Sequence, residues 1–165
     1  MKALYPLYWL IQWTWGFPQS LIGLIMSLMQ GKCKRELYNG ALITYHSGNW
    51  GGISLGMFII MNGHRPPIWT KGARVHEYGH TVQSLILGPL YLFIIGIPSF
   101  LWANSKKHEA LRDSGQESYF DFYPEYWANS LGAKTTGEPK PDWESQQKEK
   151  LEYRQKEANP SLKQN

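Results

Sequence analysis

The residues best suited to chemistry in this chain are His76-Glu77-Tyr78-Gly79-His80, which match the pattern HExxH. On a helix, residues four apart lie on one face, so both imidazoles can point at one metal ion. Zinc accepts neutral imidazole nitrogen in a tetrahedral shell. Glu77 would lie beside the open coordination position, where its carboxylate can take a proton from a zinc-bound water. The motif therefore predicts a hydrolytic site with Zn²⁺ as cofactor and Glu77 as general base.

The sequence around the motif favours a helix. The motif has no proline, leads into the apolar run 82–87 and is followed by Gly88-Pro89, a typical helix stop. Gly79 is expected to let a second helix pack closely behind the site, without a chemical role. The alternative interpretation is two surface histidines and a solvated glutamate on an ordinary helix.

A catalytic zinc site needs a third protein ligand. The downstream candidates are His108, Glu109, Asp113, Glu117, Asp121 and Glu125. Those in the polar segment 106–117 are typical of a solvated helix face. Glu125 differs, because it follows Pro124 at the start of a mostly apolar and aromatic helix pattern. A carboxylate in such a setting needs a partner, so Glu125 is predicted as the third ligand; otherwise it is an interfacial carboxylate favoured near a helix N-terminus.

Four sequence patterns carry a resemblance to a known family: HEYGHTVQS at 76–84, LGPLYL at 87–92, GIPS at 96–99 and ExxAN at 125–129. Together they resemble bacterial gluzincin-type metallopeptidases over residues 76–132. The resemblance implies that Glu125 completes a zinc site with the two histidines and that Asn129 orients one of them. Many relatives have Asp at that position, and Asn brings no negative charge. The resemblance also implies a small hairpin-plus-helix layout whose edge strand binds peptide backbone.

The hypothesis that follows is hydrolysis of a peptide bond in a peptide or protein substrate. Glu77 would pass its proton to the leaving amine. Tyr119 and Tyr123 are candidate hydrogen-bond donors to the oxyanion; as core aromatics they would have no such role. Two other classes compete with this hypothesis. One is a small membrane protein whose HExxH is structural or vestigial, and the other is a soluble peptidase in which residues 3–30 form a core hairpin.

Composition limits the partners. The length of 165 residues suits one domain with a sizeable core. The net charge of +4 is modest, and the basic residues are scattered apart from Lys32, Lys34 and Arg35, so no nucleic-acid partner is expected. Aromatic residues make up 15% of the chain, which suits a large core or a membrane interface. Cys33 is the only cysteine, which excludes an intrachain disulfide and a cysteine-based zinc site.

The predicted fold class is α+β and mainly helical. Apolar runs at 41–46 and 53–61 flank a glycine-rich turn and predict a β-hairpin just before a zincin-like metal helix. His46 and His64 are interpreted as strand or loop polar residues and not as ligands. The chain divides into an apolar membrane-associated segment at 1–30, a catalytic domain at 31–137, and a solvated C-terminal helix and tail at 138–165, with the helix at 142–158.

Two uncharged stretches indicate membrane contact. Residues 3–30 are long enough to span a bilayer, and they fit a span, a broken helical hairpin in the interface or a buried core hairpin. The second stretch, 84–103, is broken by glycine and proline. If it crossed the bilayer, Glu125 would emerge on the far side from the histidines. We therefore expect 84–103 to pack against the N-terminal element or to dip into the bilayer. The basic residues at 32–35 place the catalytic part on the cytoplasmic face.

Overall fold

The computed structural model describes residues 4–142 and 145. Its helices and strands, in chain order, are α1 (Tyr5–Thr14), α2 (Phe17–Met29), β1 (Arg35–Tyr38), β2 (Ala41–His46), β3 (Gly52–Leu55), β4 (Phe58–Asn62), α3 (Pro67–Leu87), α4 (Ile97–Ala103), α5 (Lys106–Asp113) and α6 (Tyr123–Thr136). A 3₁₀ turn (Gly88–Leu90) and a π-helical turn (Leu92–Gly96) join α3 to α4, and a second 3₁₀ turn (Tyr119–Asp121) precedes α6. The predicted class, α+β and mainly helical, is confirmed. The predicted helix at 142–158 lies outside the described residues, apart from positions 142 and 145.

The apolar N-terminal stretch forms two helices, α1 and α2, with a break at Trp15-Gly16. A single spanning helix over 3–30 is therefore wrong. The break has a local cause, since Pro18 suits only the first turn of a new helix. Among the described residues, no helix is by itself both long and apolar enough to cross a bilayer. Pro67–Leu90 and Leu92–Ala103 meet those conditions only as a pair, with a bend of 118° between them.

The sheet has the strand order β1-β2-β4-β3, in which β2 and β4 are parallel and the two outer pairs are antiparallel. The predicted strand at 41–46 is confirmed as β2. The predicted strand at 53–61 is wrong as a single element, because it folds into the hairpin β3–β4 around Gly56, whose φ is +61°. All of β4 is buried, since it is a central strand, and its unbroken apolar run hid the turn before it.

Helices α3 and α6 pack with their backbones in contact. A Cβ added at Gly79 would lie 1.9 Å from the carbonyl oxygen of Ala128, and one added at Gly132 would lie 2.0 Å from that of Val75. The expectation that Gly79 permits close helix packing is confirmed. Helix α3 also ends where Gly88-Pro89 predicted, since Leu87 is its last residue and Gly88 has a φ of +54°.

Replacing Gly79 with alanine is expected to destabilise the fold by about 1–3 kcal/mol or more, because the new methyl group overlaps backbone that cannot rotate away. Urea unfolding measures this loss. Gly96→Ala is the matched control, since a Cβ at that helical position meets only ordinary contacts, the nearest at 3.7 Å. Equal stability of the two variants would contradict the backbone contact between α3 and α6.

Candidate metal centre

Three side chains from α3 and α6 meet in the interior: His76, His80 and Glu125. Oε2 of Glu125 lies 3.0 Å from Nε2 of His76 and 3.4 Å from Nε2 of His80, and the two Nε2 atoms are 3.2 Å apart. All three residues are buried, and Glu125 has no exposed surface. The structure thus brings together the three side chains predicted as ligands. Among the described residues, they form a cluster with the geometry to hold a metal ion.

Amide side chains orient both imidazoles. Nδ1 of His76 lies 2.7 Å from Oδ1 of Asn129, and Nδ1 of His80 lies 2.7 Å from Oε1 of Gln83. The amide nitrogen of Gln83 donates to the carbonyl of Pro124, which fixes the direction of that amide. Because an amide oxygen only accepts, each Nδ1 carries a proton and donates it. A neutral imidazole therefore directs the lone pair of its Nε2 into the cluster.

When both imidazoles are neutral, the centre of the cluster holds only hydrogen-bond acceptors. Two imidazole lone pairs and Oε2 of Glu125 converge there, and that oxygen, 3.0 Å from Nε2 of His76, then has no donor among the described residues. Buried acceptors facing one another are unfavourable unless a cation lies between them. Two imidazoles and one carboxylate are a ligand set that zinc uses when a further coordination position stays open. The residues present therefore fit Zn²⁺.

The second oxygen of Glu125 is held by a residue from another helix. The hydroxyl of Ser99, on α4, donates to Oε1 of Glu125. Residues 84–103 consequently fold back onto the candidate metal centre. The same stretch also contacts the N-terminal helices, because Nε2 of Gln19 donates to the carbonyl of Gly88 over 2.8 Å. The sequence predicted that 84–103 packs against the N-terminal element or dips into the bilayer. In the structure these residues pack against the N-terminal element.

The predicted general base, Glu77, is held against strand β3. The hydroxyl of Ser54 lies 2.7 Å from Oε2 of Glu77 and 2.9 Å from its carbonyl oxygen. Tyr91 donates its hydroxyl to the carbonyl of Ser54 over 2.8 Å, which braces the strand. A Cβ at Gly52 would lie 2.6 Å from Oε1 of Glu77, so glycine leaves room for the carboxylate. Glu77 is thereby fixed at a strand that forms an edge of the sheet.

Opposite charges stabilise each other within the cluster. Burial by itself lowers the pKa of His76, but the adjacent Glu125 outweighs burial and raises that pKa to about 9. Burial likewise raises the pKa of Glu125, whereas His80 and His76 beside it lower the pKa well below its usual range. In the metal-free protein at neutral pH, an ionised Glu125 is therefore paired with a protonated His76.

The metal-free protein is expected to lose stability as pH rises from 6.5 to 9. The unfolded chain releases the His76 proton near pH 6.5, while the folded protein keeps it to about pH 9. The stabilising effect is thus complete below 6.5 and is lost as pH passes 9. Urea unfolding with a chelator present, at several pH values, measures the decline. Glu125→Gln removes the carboxylate and should remove this part of the decline; identical pH profiles would contradict the pairing.

The two tyrosines proposed as oxyanion donors differ in position. The ring centroid of Tyr119 lies 6.3 Å from that of His76. Burial, and then the charges of Glu125 and Glu77, raise the pKa of the Tyr119 hydroxyl. Tyr123 is half exposed, and its hydroxyl donates to the carbonyl of Ile94. Of the two, Tyr119 lies beside the candidate metal centre.

Two other histidines, His108 and His46, make contacts away from the candidate metal centre. Nδ1 of His108 lies 2.9 Å from a carboxylate oxygen of Glu117, on the partly exposed side of α5. His46 stacks on Trp50 with ring centroids 3.6 Å apart, and its Nδ1 accepts from the backbone N–H of Gly48. His46 is thus the last residue of β2, and its side chain contacts the loop that precedes β3, consistent with its interpretation as a strand polar residue.

Sequence reasoning did not assign roles to Gln83, Ser54 and Ser99. Gln83 follows His80 by three residues on the same helix, so its spacing carried a usable signal. Ser54 and Ser99 come from β3 and α4, and only the tertiary fold brings them to Glu77 and Glu125. No spacing rule along the chain could have identified these two serines.

Asn129→Ala is expected to weaken zinc binding by about 10–100-fold, because His76 loses the acceptor that fixes its ring and its protonated nitrogen. Competition with a chromophoric chelator measures the dissociation constant. Asn104→Ala is the matched control, because Asn104 directly follows α4 and its exposed amide donates to the carbonyl of Phe100 in that helix. Equal zinc affinity in the two variants would show that Asn129 does not orient the ligand.

Comparison of this chain with protein-family models, curated proteins and solved structures finds no match. The site is therefore interpreted from its own geometry. The resemblance to gluzincin-type metallopeptidases stays a prediction.

Proposed function

We propose that this chain is a zinc-dependent hydrolase of peptide bonds, similar in its site to gluzincins. The observation that carries the proposal is the convergence of three buried ligand atoms beside a fixed glutamate. His76, His80 and Glu125 are the proposed ligands. Glu77 adjoins them through its place between the two histidines on α3 and is anchored on β3. This combination of a ligand set and an adjacent base suits activation of water.

Each residue has a defined task in the proposed reaction. Zinc, when bound, supplies a Lewis acid that polarises a carbonyl group and lowers the pKa of water to about 7. Glu77 accepts the proton of the attacking water and returns it to the leaving amine. Ser54 fixes the Glu77 carboxylate at β3, since its hydroxyl donates to Oε2 and leaves Oε1 to receive the proton. Tyr119 is the candidate donor to the oxyanion.

The proposed substrate is an extended peptide segment. Among the strands that the structure describes, β3 pairs with β4 alone and so lies at an edge of the sheet. It carries Ser54, the residue that contacts Glu77. An edge strand offers backbone groups to which an extended peptide can add as a further strand. On β3 the carbonyl of Ser54 already accepts from Tyr91, so the peptide would pair with the other backbone groups of the strand. A peptide bound along β3 would then pass directly beside Glu77. The same location gives Gly52 its purpose, because any side chain there would meet the carboxylate.

Hydrolysis as a function of zinc content tests the proposal. The full chain is stripped with a chelator, titrated with zinc and incubated with unfolded protein and peptide libraries, and cleavage products are identified by mass spectrometry. We expect cleavage to rise with added zinc and to level off at one equivalent. Zinc binding at one equivalent without cleavage of any peptide would contradict the proposed function and would favour a structural or vestigial metal site.

A further inference from the structure

The N-terminal helices bury several polar side chains and expose many apolar ones. Polar residues that are buried on α1 and α2 are Gln12, Gln19, Ser20 and Ser27. Large apolar residues that are exposed between 4 and 29 are Leu4, Leu7, Trp9, Leu10, Trp15, Phe17, Leu21, Ile22, Ile25, Leu28 and Met29. An amphipathic helix facing water has the reverse arrangement. Helices in contact with lipid direct their polar residues inward in this way.

The stretch that follows α3 also exposes apolar side chains. Its exposed apolar side chains are Ile86, Leu90, Phe93, Ile94, Ile97, Phe100 and Leu101, and residues 84–103 contain no charge. Phe93 is the most exposed of them, at 69%. Contiguous exposed apolar regions of this kind mark surfaces that bind a membrane or a protein.

The two exposed apolar sets adjoin in the fold. Trp15 packs on Gly88, where an added Cβ would lie 2.3 Å from the indole ring. Gln19 donates to the carbonyl of the same glycine. The two sets of exposed side chains, 4–29 and 86–101, therefore meet around Trp15 and Gly88, and we call them together the apolar surface. Polar contacts at its base hold the two parts together.

Lysines border the apolar surface. Lys32 and Lys34 follow the end of α2, and Lys106 and Lys107 follow the end of α4; all four are exposed. Basic residues beside an apolar membrane-binding element attract anionic lipid headgroups. Trp9 and Trp15 lie within the apolar surface, and tryptophan favours the boundary between headgroups and acyl chains.

We propose that the apolar surface docks this protein on a lipid bilayer rich in anionic lipids, with the exposed apolar side chains inserted among the acyl chains. A second copy of the chain is the less suitable occupant. A symmetric dimer places the same surface against itself, so its lysine borders would face each other and repel. Anionic headgroups neutralise those lysines instead. The proposal is independent of the proposed hydrolase function.

Flotation with lipid vesicles tests this surface. The full chain is mixed with vesicles of phosphatidylcholine and phosphatidylglycerol and centrifuged in a density gradient. The variant Ile25→Glu/Phe93→Glu puts two carboxylates into the apolar surface and is expected to lower the bound fraction about tenfold. The matched control, Leu37→Glu/Ile68→Glu, changes two residues of similar exposure elsewhere and should float as the wild type does.

Three outcomes would overturn the proposal. The wild-type chain could stay at the bottom of the gradient, or both double variants could lower the bound fraction equally. The third is a wild-type chain that binds no lipid but forms a stable dimer in gel filtration, which Ile25→Glu/Phe93→Glu abolishes. Circular dichroism of each variant verifies folding, so a failed variant is replaced by the single change Phe93→Glu. Replacing the four bordering lysines with glutamine should remove the preference for phosphatidylglycerol. Because flotation needs neither metal nor hydrolysis, its result stands apart from the zinc titration.

Discussion

Glu77→Gln is expected to lower peptide hydrolysis by about 10²–10⁴-fold, the contribution typical of a positioned general base. Glutamine keeps the shape of the side chain and can still accept the Ser54 hydrogen bond, but it cannot take a proton at neutral pH. The proposed metal ligands are other residues, so zinc content should be unchanged. The measurements are kcat/KM on a peptide cleaved by the wild type and zinc per chain by atomic absorption.

Glu109→Gln is the control for this experiment. Glu109 is an exposed carboxylate on α5, and its replacement should leave both hydrolysis and zinc content as they are in the wild type. An unchanged rate for Glu77→Gln would refute the role of Glu77 as general base. Loss of zinc from Glu77→Gln would instead show that this residue belongs to the metal-binding set.

Glu125→Gln is expected to weaken zinc binding by more than about 100-fold, beyond the range for residues that only orient a ligand. The change removes the one carboxylate among the three proposed ligands while preserving volume, so the helices can remain packed. Ser99 can still donate to the remaining amide oxygen. Chelator competition measures the affinity, and hydrolysis should be lost together with the metal.

Circular dichroism and urea unfolding of the zinc-free variant separate metal loss from unfolding. Glu109→Gln again serves as a control, since Glu109 was a candidate ligand by sequence and lies on exposed α5. Retention of wild-type zinc affinity by Glu125→Gln would exclude Glu125 as a ligand. Loss of affinity in Glu109→Gln would place the metal elsewhere.

The secondary structure was predictable where one local rule decided it. The Gly88-Pro89 stop, the strand at 41–46 and the tolerance of close packing at Gly79 all follow from local chemistry. The turn at Gly56 was missed, because both strands around it are apolar and no charged residue interrupts the run. The parallel pairing of β2 with β4 was also missed, since pairing partners depend on how the whole chain packs.

The candidate metal centre was predictable to a similar degree. His76 and His80 are related by helix periodicity. Glu125 differs from the other candidates because its carboxylate lies on a helix rich in aromatic residues. The structure brings these three together, while their role as ligands stays a prediction. The hydrogen bonds of Ser54 and Ser99 were not predictable, because a serine is common on any strand or helix and only tertiary contact distinguishes these two.

The exposed apolar side chains show why the N-terminal stretch was ambiguous. Residues 3–30 lack charge, and that property alone fits a span, an interfacial hairpin and a buried core. The distinction lies in which side chains face outward. Gln12 and Gln19 are buried while Trp15 and Ile25 are exposed, an arrangement that composition cannot reveal.

X-ray absorption at the zinc edge, on zinc-loaded wild-type protein after dialysis, tests the central claim most directly. The claim is that His76, His80 and Glu125 bind one catalytic zinc ion. We expect one zinc per chain, with two imidazoles and additional oxygen in the shell at about 2.0–2.2 Å. In Glu125→Gln the amount of zinc bound per chain should fall, while the zinc that remains should still show two imidazoles per ion. A shell containing sulfur from Cys33, or a protein that keeps no zinc, would contradict the claim.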